Sequence, residues 1–283
     1  MIHLVTDSTA GLLPEIKSKY NVHTISLKLC VGDQTYNDEG GITQEAFYEL
    51  LESVETTPTT SQPSAGEFME LYEQLTRGGD EVISIHISEG LSGTVPNALA
   101  AVQQVAPDRI SVVDSRTAAM GLIILVVAAG EAIAAGKDRA HIVAMLERMV
   151  EESEAIFFVE DLAYLHKGGR IGGATRFIGT LLNIKPILYM SEGKIEALDK
   201  ARSARKAKER VVDEIAQRMG QRPVRVGVGH ILAPEAAAEM AEMARQKLNC
   251  VWCFTSEVGP VIGTHVGPGF AGIAACPVLD DMF

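Results

Sequence analysis

The sequence predicts an α/β protein of two domains: an N-terminal doubly wound, mainly parallel sheet and a C-terminal α+β domain with a mixed sheet. Three observations predict it. Apolar runs of strand length alternate with helix-length segments through the first half, the pattern of βα units. The second half carries a hairpin signal, SEGK at 191–194, among segments of crossover-helix length, which mixes strand directions. A length of 283 residues corresponds to about two domains, and the acidic EESE stretch puts the boundary near residue 152, giving units 1–152 and 153–283.

The elements follow in order. Residues 2–6 form the first strand and 12–19 a helix, and 21–31 is extended. Residues 43–52 and 66–75 are helical; Ser64 and Glu67 make an S-x-x-E capping box that opens the second of these. A strand at 81–87 leads to a helix at 94–105, and a strand at 110–113 leads to the most apolar stretch, 118–135. That stretch contains Glu131 and falls short of the roughly 20 residues a bilayer needs, so it is a buried core helix. A further helix covers 139–151. In the second half, 155–159 is a strand, followed by a short helix and the glycine-rich HKGGRIGG. Residues 184–190 and 195–198 form the hairpin, 204–219 and 234–248 are helices, and 224–228 and 251–255 are strands. Cys250 and Cys253, three apart on a strand, face opposite sides and read as ordinary buried cysteines.

Composition excludes several classes. Hydrophobic residues make up 47% of the chain, enough for a sizeable core. The net charge of −12 argues against nonspecific binding to nucleic acid and against anionic membranes. The N-terminus lacks the basic region and apolar run of a signal peptide, so the expected location is the cytoplasm, with no stable membrane insertion.

Candidate chemistry lies on loops. Three apolar runs end at VTDST, SIHISEG and SVVDSR and hand over to helices, and ligands of open α/β sheets bind beyond such strand ends. Asp7, Ser8, Asp114 and Ser115 also suit helix capping. Thr60, Ser61 and Gln62 are held between Pro58 and Pro63. Ser92, Gly93 and Thr94 fall at a helix N-terminus, where free N–H groups favour an anion. The run resembles the nucleophile elbow G-x-S-x-G with Thr94 in place of the last glycine. Lys167 and Arg170 sit on the glycine-rich loop, and residues 200–210 hold six basic side chains and one acid. The segment GPVIGTHVGPG, 259–269, sets His265 among four glycines and two prolines and reads as an irregular loop that brings backbone close to a ligand. Hydroxyls, a helix N-terminus and an imidazole together suit one small anion.

Taken in order, VTDSTAGL, TTSQPS, GLSGT, VVDS, LHKGGRI, LLNIKPIL and GPVIGTHVGPG resemble the DegV family of bacterial proteins, over most of the chain. The resemblance implies a protein that binds one long-chain fatty acid between its two domains. It implies the fatty-acid-binding subunit of a fatty acid kinase, presenting the carboxylate to a separate ATP-binding kinase subunit, with no cofactor, metal or catalytic residue of its own. By motif, Thr60, Ser92 and His265 would hold the carboxylate, with Ser61, Gly93, Thr94, Arg170 and Thr264 in support. Phe157, Leu165, Ile184, Ile187 and Ile262, apolar residues beside the motifs, are candidates for the acyl pocket. Lys200, Arg202 and Arg205 resemble a stretch that meets the kinase. The competing readings are a stand-alone lipid or small-molecule binding protein and a lipid esterase built on Ser92 and His265. Two positions depart from the family pattern: Gly11, where an acid is common, and Glu89, where a serine is common. Glu89 is expected to point to solvent, since a second carboxylate near the ligand would oppose its ionisation.

Overall fold

The computed structural model describes residues 1–53, 58–178 and 184–279. The first half runs β1 (Ile2–Asp7), α1 (Pro14–Lys19), β2 (Val22–Ile25), β3 (Lys28–Val31), β4 (Gln34–Asn37), α2 (Gln44–Ser53) and β5 (Thr59–Ser61). It continues through α3 (Ala65–Thr76), β6 (Glu81–His86), α4 (Thr94–Val105), β7 (Ile110–Asp114), α5 (Met120–Ala134) and α6 (Arg139–Glu152). The second half holds β8 (Glu154–Phe158), α7 (Ala163–Lys167), β9 (Lys185–Ser191), β10 (Lys194–Ala201) and α8 (Ala204–Met219). It closes with β11 (Pro223–His230), α9 (Pro234–Lys247), β12 (Asn249–Glu257), α10 (Pro260–Val266) and β13 (Ala271–Pro277).

Three sheets result. One is fully parallel, in the order β2-β1-β6-β7. The second has the order β10-β9-β8-β13-β11-β12, antiparallel except for the β11–β12 pair. The third is a small antiparallel sheet, β4-β3-β5, inserted between β2 and α3.

Alternation along the strands sorts the layers. On the parallel sheet, Val5 and Val82 pack with Phe68, Tyr72 and Ala98 of α3 and α4, while Leu4, Ile83 and Ile85 face α5. On the six-stranded sheet, Val224, Val226 and Val228 face α8 and α9, and Gly227 and Gly229 face α5. A Cβ on Gly229 would lie 2.2 Å from Met120 Sδ, so glycine there lets α5 close onto the sheet. α5 is thus covered on both sides, which is why it is apolar on nearly every face, Glu131 near its C-terminal end excepted. No helix among the described residues is long and apolar enough to cross a membrane.

The structure departs from the sequence reading at four places. Residues 260–266 are a helix, not an irregular loop: Pro260 takes the first helical position and Gly267 ends it at φ 77°. β13, the strand beside β8 and β11, lies in a run of glycine and alanine that shows no alternation because all seven residues are buried. β4 and β5 add the small sheet. Cys250 and Cys253 both pack toward α8 and α9, because the register with β11 shifts by one residue between them and a bulge restores the same face. The terminal residues 280–283 lie outside the described residues.

The strand-end acids and serines are held within the fold. Asp7 accepts from Thr9 N and Ile87 N and meets His86 Nδ1 at 3.0 Å; His86 Nε2 meets Ser84 Oγ at 2.7 Å, and Tyr72 donates to Ser84. All four side chains are fully buried, so this Asp–His–Ser succession is structural. Ser8 accepts from Leu27 N, and Asp114 and Ser115 accept from Arg116 N and Thr117 N in the turn before α5. Gly11 adopts φ 57° and closes the turn after β1, a left-handed position that suits glycine at that departure from the family pattern.

Candidate functional site

One cavity lies beyond the carboxyl ends of β6 and β7, where the parallel sheet meets the six-stranded sheet and α10. It encloses about 820 Å³ of atom-free space, mouth included. Its walls are mainly apolar, from Leu27, Ile87, Leu91, Met120, Phe157, Leu165, Met190, Ile195, Val261, Ile262 and Phe270. The polar groups are few: Thr60, Gln62, Ser92, Thr117, Arg170 and His265. An apolar hollow with a small set of polar groups is the usual form of a site for an amphipathic small molecule.

Contacts between loops bring the polar groups together. β5 pairs with β3 through Thr60 and Leu29, which aims Thr60 at α10, and Thr60 Oγ1 lies 2.8 Å from His265 Nε2. Arg170 reaches across to the Leu91 carbonyl at 3.0 Å and also donates to Gly168 O at 2.6 Å. Gly168 in turn lies against the imidazole: a Cβ there would fall 2.2 Å from His265 Nδ1. Gln62 covers Gly93, the N-cap of α4. Ser92 Oγ stands 2.9 Å from Thr94 Oγ1 at the same helix N-terminus, which has no side-chain cap. Four segments distant in sequence therefore meet at one mouth.

The electrostatics of His265 follow from burial. Desolvation, with the Arg170 charge nearby, pushes its pKa down to about 4, so the ring is neutral at pH 7. Nδ1 is buried without a hydrogen-bond partner. A buried donor without an acceptor costs more than an idle lone pair, so the pattern assigns the proton to Nε2, which donates to Thr60. The Thr60 hydroxyl proton is then available to a bound acceptor.

α10 itself is anchored by Asp38. Asp38 Oδ1 accepts from Val261 N at 2.9 Å, and the carboxyl is buried, which raises its pKa to about 6 against the opposing effect of that bond. Thr264 is turned inward and donates to Pro260 O, so it supports the helix rather than the cavity.

The family model of the DegV family matches residues 1–278 of the chain. The chain belongs to the DegV family. Protein DegV of Bacillus subtilis is 37% identical over 277 residues, covering 97% of this chain and 99% of that one. Two solved DegV structures are similar throughout. One, described as fatty acid binding by a DegV family protein of Thermus thermophilus, superposes with a TM-score of 0.94 at 34% identity, covering 98% of this chain and 99% of that one. The other, DegV of Bacillus subtilis, described as a fatty acid binding protein, gives 0.85 at 37% identity, covering 98% and 99%.

Set against this DegV architecture, the sequence-predicted residues divide. Thr60, Ser92, Arg170 and His265 line the cavity, as do Phe157, Leu165 and Ile262. Ile187 does not: it packs toward α8, because Phe157 pairs with Leu188 and the next residue along a strand faces the other side. Ile184 is half-buried ahead of β9 and is absent from the walls. Ser61 is exposed, and its neighbour Thr60 takes the inward face of β5. Gly93 and Thr94 shape the α4 N-terminus behind Ser92. Glu89 is exposed and its backbone N–H meets Asp114, away from the cavity. Lys200, Arg202 and Arg205 are exposed at the β10–α8 junction. Sequence reasoning missed Asp38, Gly168 and Met190. For Gly168 the paired glycines of HKGGRI were the available signal.

Proposed function

We propose that the chain binds one long-chain fatty acid, with the acyl chain in the apolar cavity and the carboxylate at Thr60, Ser92 and His265. The observation that carries this reading is the Thr60–His265 pair at the mouth of an otherwise apolar hollow. Burying each methylene contributes roughly 0.8 kcal/mol, so a chain of about 14 gains roughly 11 kcal/mol before ordering costs. The chain then supplies affinity and the polar mouth supplies orientation. Neutral donors and the α4 N-terminus hold a carboxylate without a buried ion pair, and Arg170 stands near with its charge. The descriptions of the Thermus thermophilus and Bacillus subtilis relatives as fatty acid binding support the ligand class.

In this reading a separate ATP-binding kinase subunit phosphorylates the presented carboxylate to an acyl phosphate. The exposed Lys200, Arg202 and Arg205 are the proposed docking residues, on an otherwise acidic chain. An esterase built on Ser92 and His265 has less support. His265 Nε2 is engaged by Thr60, and no carboxylate stands behind Nδ1. The strained turn lining the cavity centres on Ala119, at φ 49° and ψ −121°, which carries no nucleophile; Ser92 has no positive φ.

Denaturing mass spectrometry of the purified protein tests the ligand. Copurification of a fatty acid in near-equimolar amount is expected, and a lipid-free protein that also fails to bind added fatty acid overturns the reading. Incubation of the loaded protein with a fatty acid kinase subunit and ATP tests presentation, with acyl phosphate as the expected product. Hydrolysis of an acyl ester, lost in Ser92→Ala, is the result the esterase requires.

A further inference from the structure

A second cavity of about 810 Å³ stands behind the first. Its walls mix polar and apolar groups where those of the first are mainly apolar, with Glu151, Glu154, Glu192 and Arg218 beside Ile124, Val150 and Tyr189. Three residues belong to both: Thr117, Ala155 and Met190. They form the partition between an apolar hollow and a more polar cleft.

The partition is set back from the His265 side of the mouth. Phe158 pairs with Ala271, and β8 leads from there to α7, which packs beside α10 and His265. Ala155 is three positions back along β8, about 10 Å at the usual strand rise. Met190 lies opposite it, one position beyond the Ile156–Tyr189 pair, and pairs on its other side with Ile195. Thr117 is fixed by its carbonyl, which accepts from Ser88 N, and Ala155 has no rotamers. Of the three, Met190 alone has a long, flexible side chain, only partly buried.

We propose that Met190 is the movable stop that sets the length of acyl chain the cavity accepts. A chain whose methyl end reaches Met190 is fully buried. A longer one must displace the thioether and push methylenes into a cleft that carboxylates and a guanidinium share with apolar side chains, where each gains less than in the hollow. This inference rests on the fatty-acid reading above.

The test is binding of a series of saturated fatty acids of increasing length to the wild-type chain, Met190→Ala and Met190→Trp. Wild-type affinity should rise about fourfold per added methylene and then stop rising. In Met190→Ala the limit should move to longer chains, and in Met190→Trp to shorter ones, each read as the chain length at which that variant's own affinity stops rising. Measuring both variants keeps the test decisive if one fails to fold. An unmoved limit in the folded variants, with normal binding, overturns the stop alone. Failure of the wild-type chain to bind any of the series overturns the fatty-acid reading and the stop with it.

Discussion

At the scale of single residues the account rests on how His265 is held. Hydrogen bonds to a charged group contribute about 1.5–3 kcal/mol, so Thr60→Ala and Ser92→Ala should each weaken fatty acid binding roughly tenfold to a hundredfold, and His265→Ala, which removes the donor that turns the Thr60 hydroxyl toward the ligand, should weaken it too. Titration calorimetry checks this, and unchanged affinity in all three removes them from the site. Gly168 gives a sharper case. Its backbone, φ −75° and ψ −9°, suits alanine, so Gly168→Ala introduces no backbone strain. The added methyl meets the imidazole at 2.2 Å, and affinity should fall while the fold is kept. Circular dichroism alongside the binding measurement separates the two effects.

Two buried groups near the mouth titrate in opposite senses. Burial raises Asp38 from an ordinary value near 3.8 to about 6, so the folded chain holds that proton more tightly than the unfolded one. Its contribution to stability is fullest below about 3.8 and is lost as pH rises through about 6. Burial lowers His265 from 6.5 to about 4, so its contribution is fullest above about 6.5 and is lost as pH falls through about 4. The two trends oppose each other over one window. The Tm of Asp38→Asn should therefore rise with pH across it more than that of the wild type, and the Tm of His265→Gln should do the reverse. Parallel curves for the three proteins contradict this.

At the scale of elements, strand parity decides which apolar residues serve the ligand. Ile187 and Leu188 are neighbours, yet Ile187 packs in the core under α8 and Leu188 in the core that the cavity shares. Ile187→Ala should cost about 2–5 kcal/mol of stability and leave fatty acid affinity intact. Phe157→Ala, across from Leu188, should reduce affinity. Proximity to a motif did not separate such pairs, because that choice ignores which way a strand residue points. α10 shows a different failure. Glycine and proline masked a helix, although proline at its first position and glycine after its last are themselves boundary signals. By contrast, α4 and α8 begin and end where the sequence puts them, since Thr94–Val105 and Ala204–Met219 carry clear apolar periodicity. The polar mouth was legible for a related reason: Thr60, Ser92 and His265 sit in runs that no packing requirement explains. The anchor at Asp38 was not, because it acts through a contact 223 residues away.

At the scale of the whole molecule, α5 joins the two sheets. It packs on β1 and β6 on one side and on β11 and β13 on the other, within one continuous apolar core. A fragment of residues 1–152 would expose the face of α5 that the six-stranded sheet covers. Such a fragment should aggregate or bind a hydrophobic dye where the full chain does not, and a soluble, well-folded fragment would show that the shared core is dispensable. The same layering explains the position of the cavity, at the rim where the two sheets, the small sheet and α10 converge. A crystal structure of the chain with a saturated long-chain fatty acid measures this most directly. The carboxylate should lie within hydrogen-bond distance of Thr60 and Ser92, beside the His265–Thr60 pair, with the chain running past Phe157 toward Met190; a carboxylate bound elsewhere, or an acyl chain outside this cavity, would contradict it.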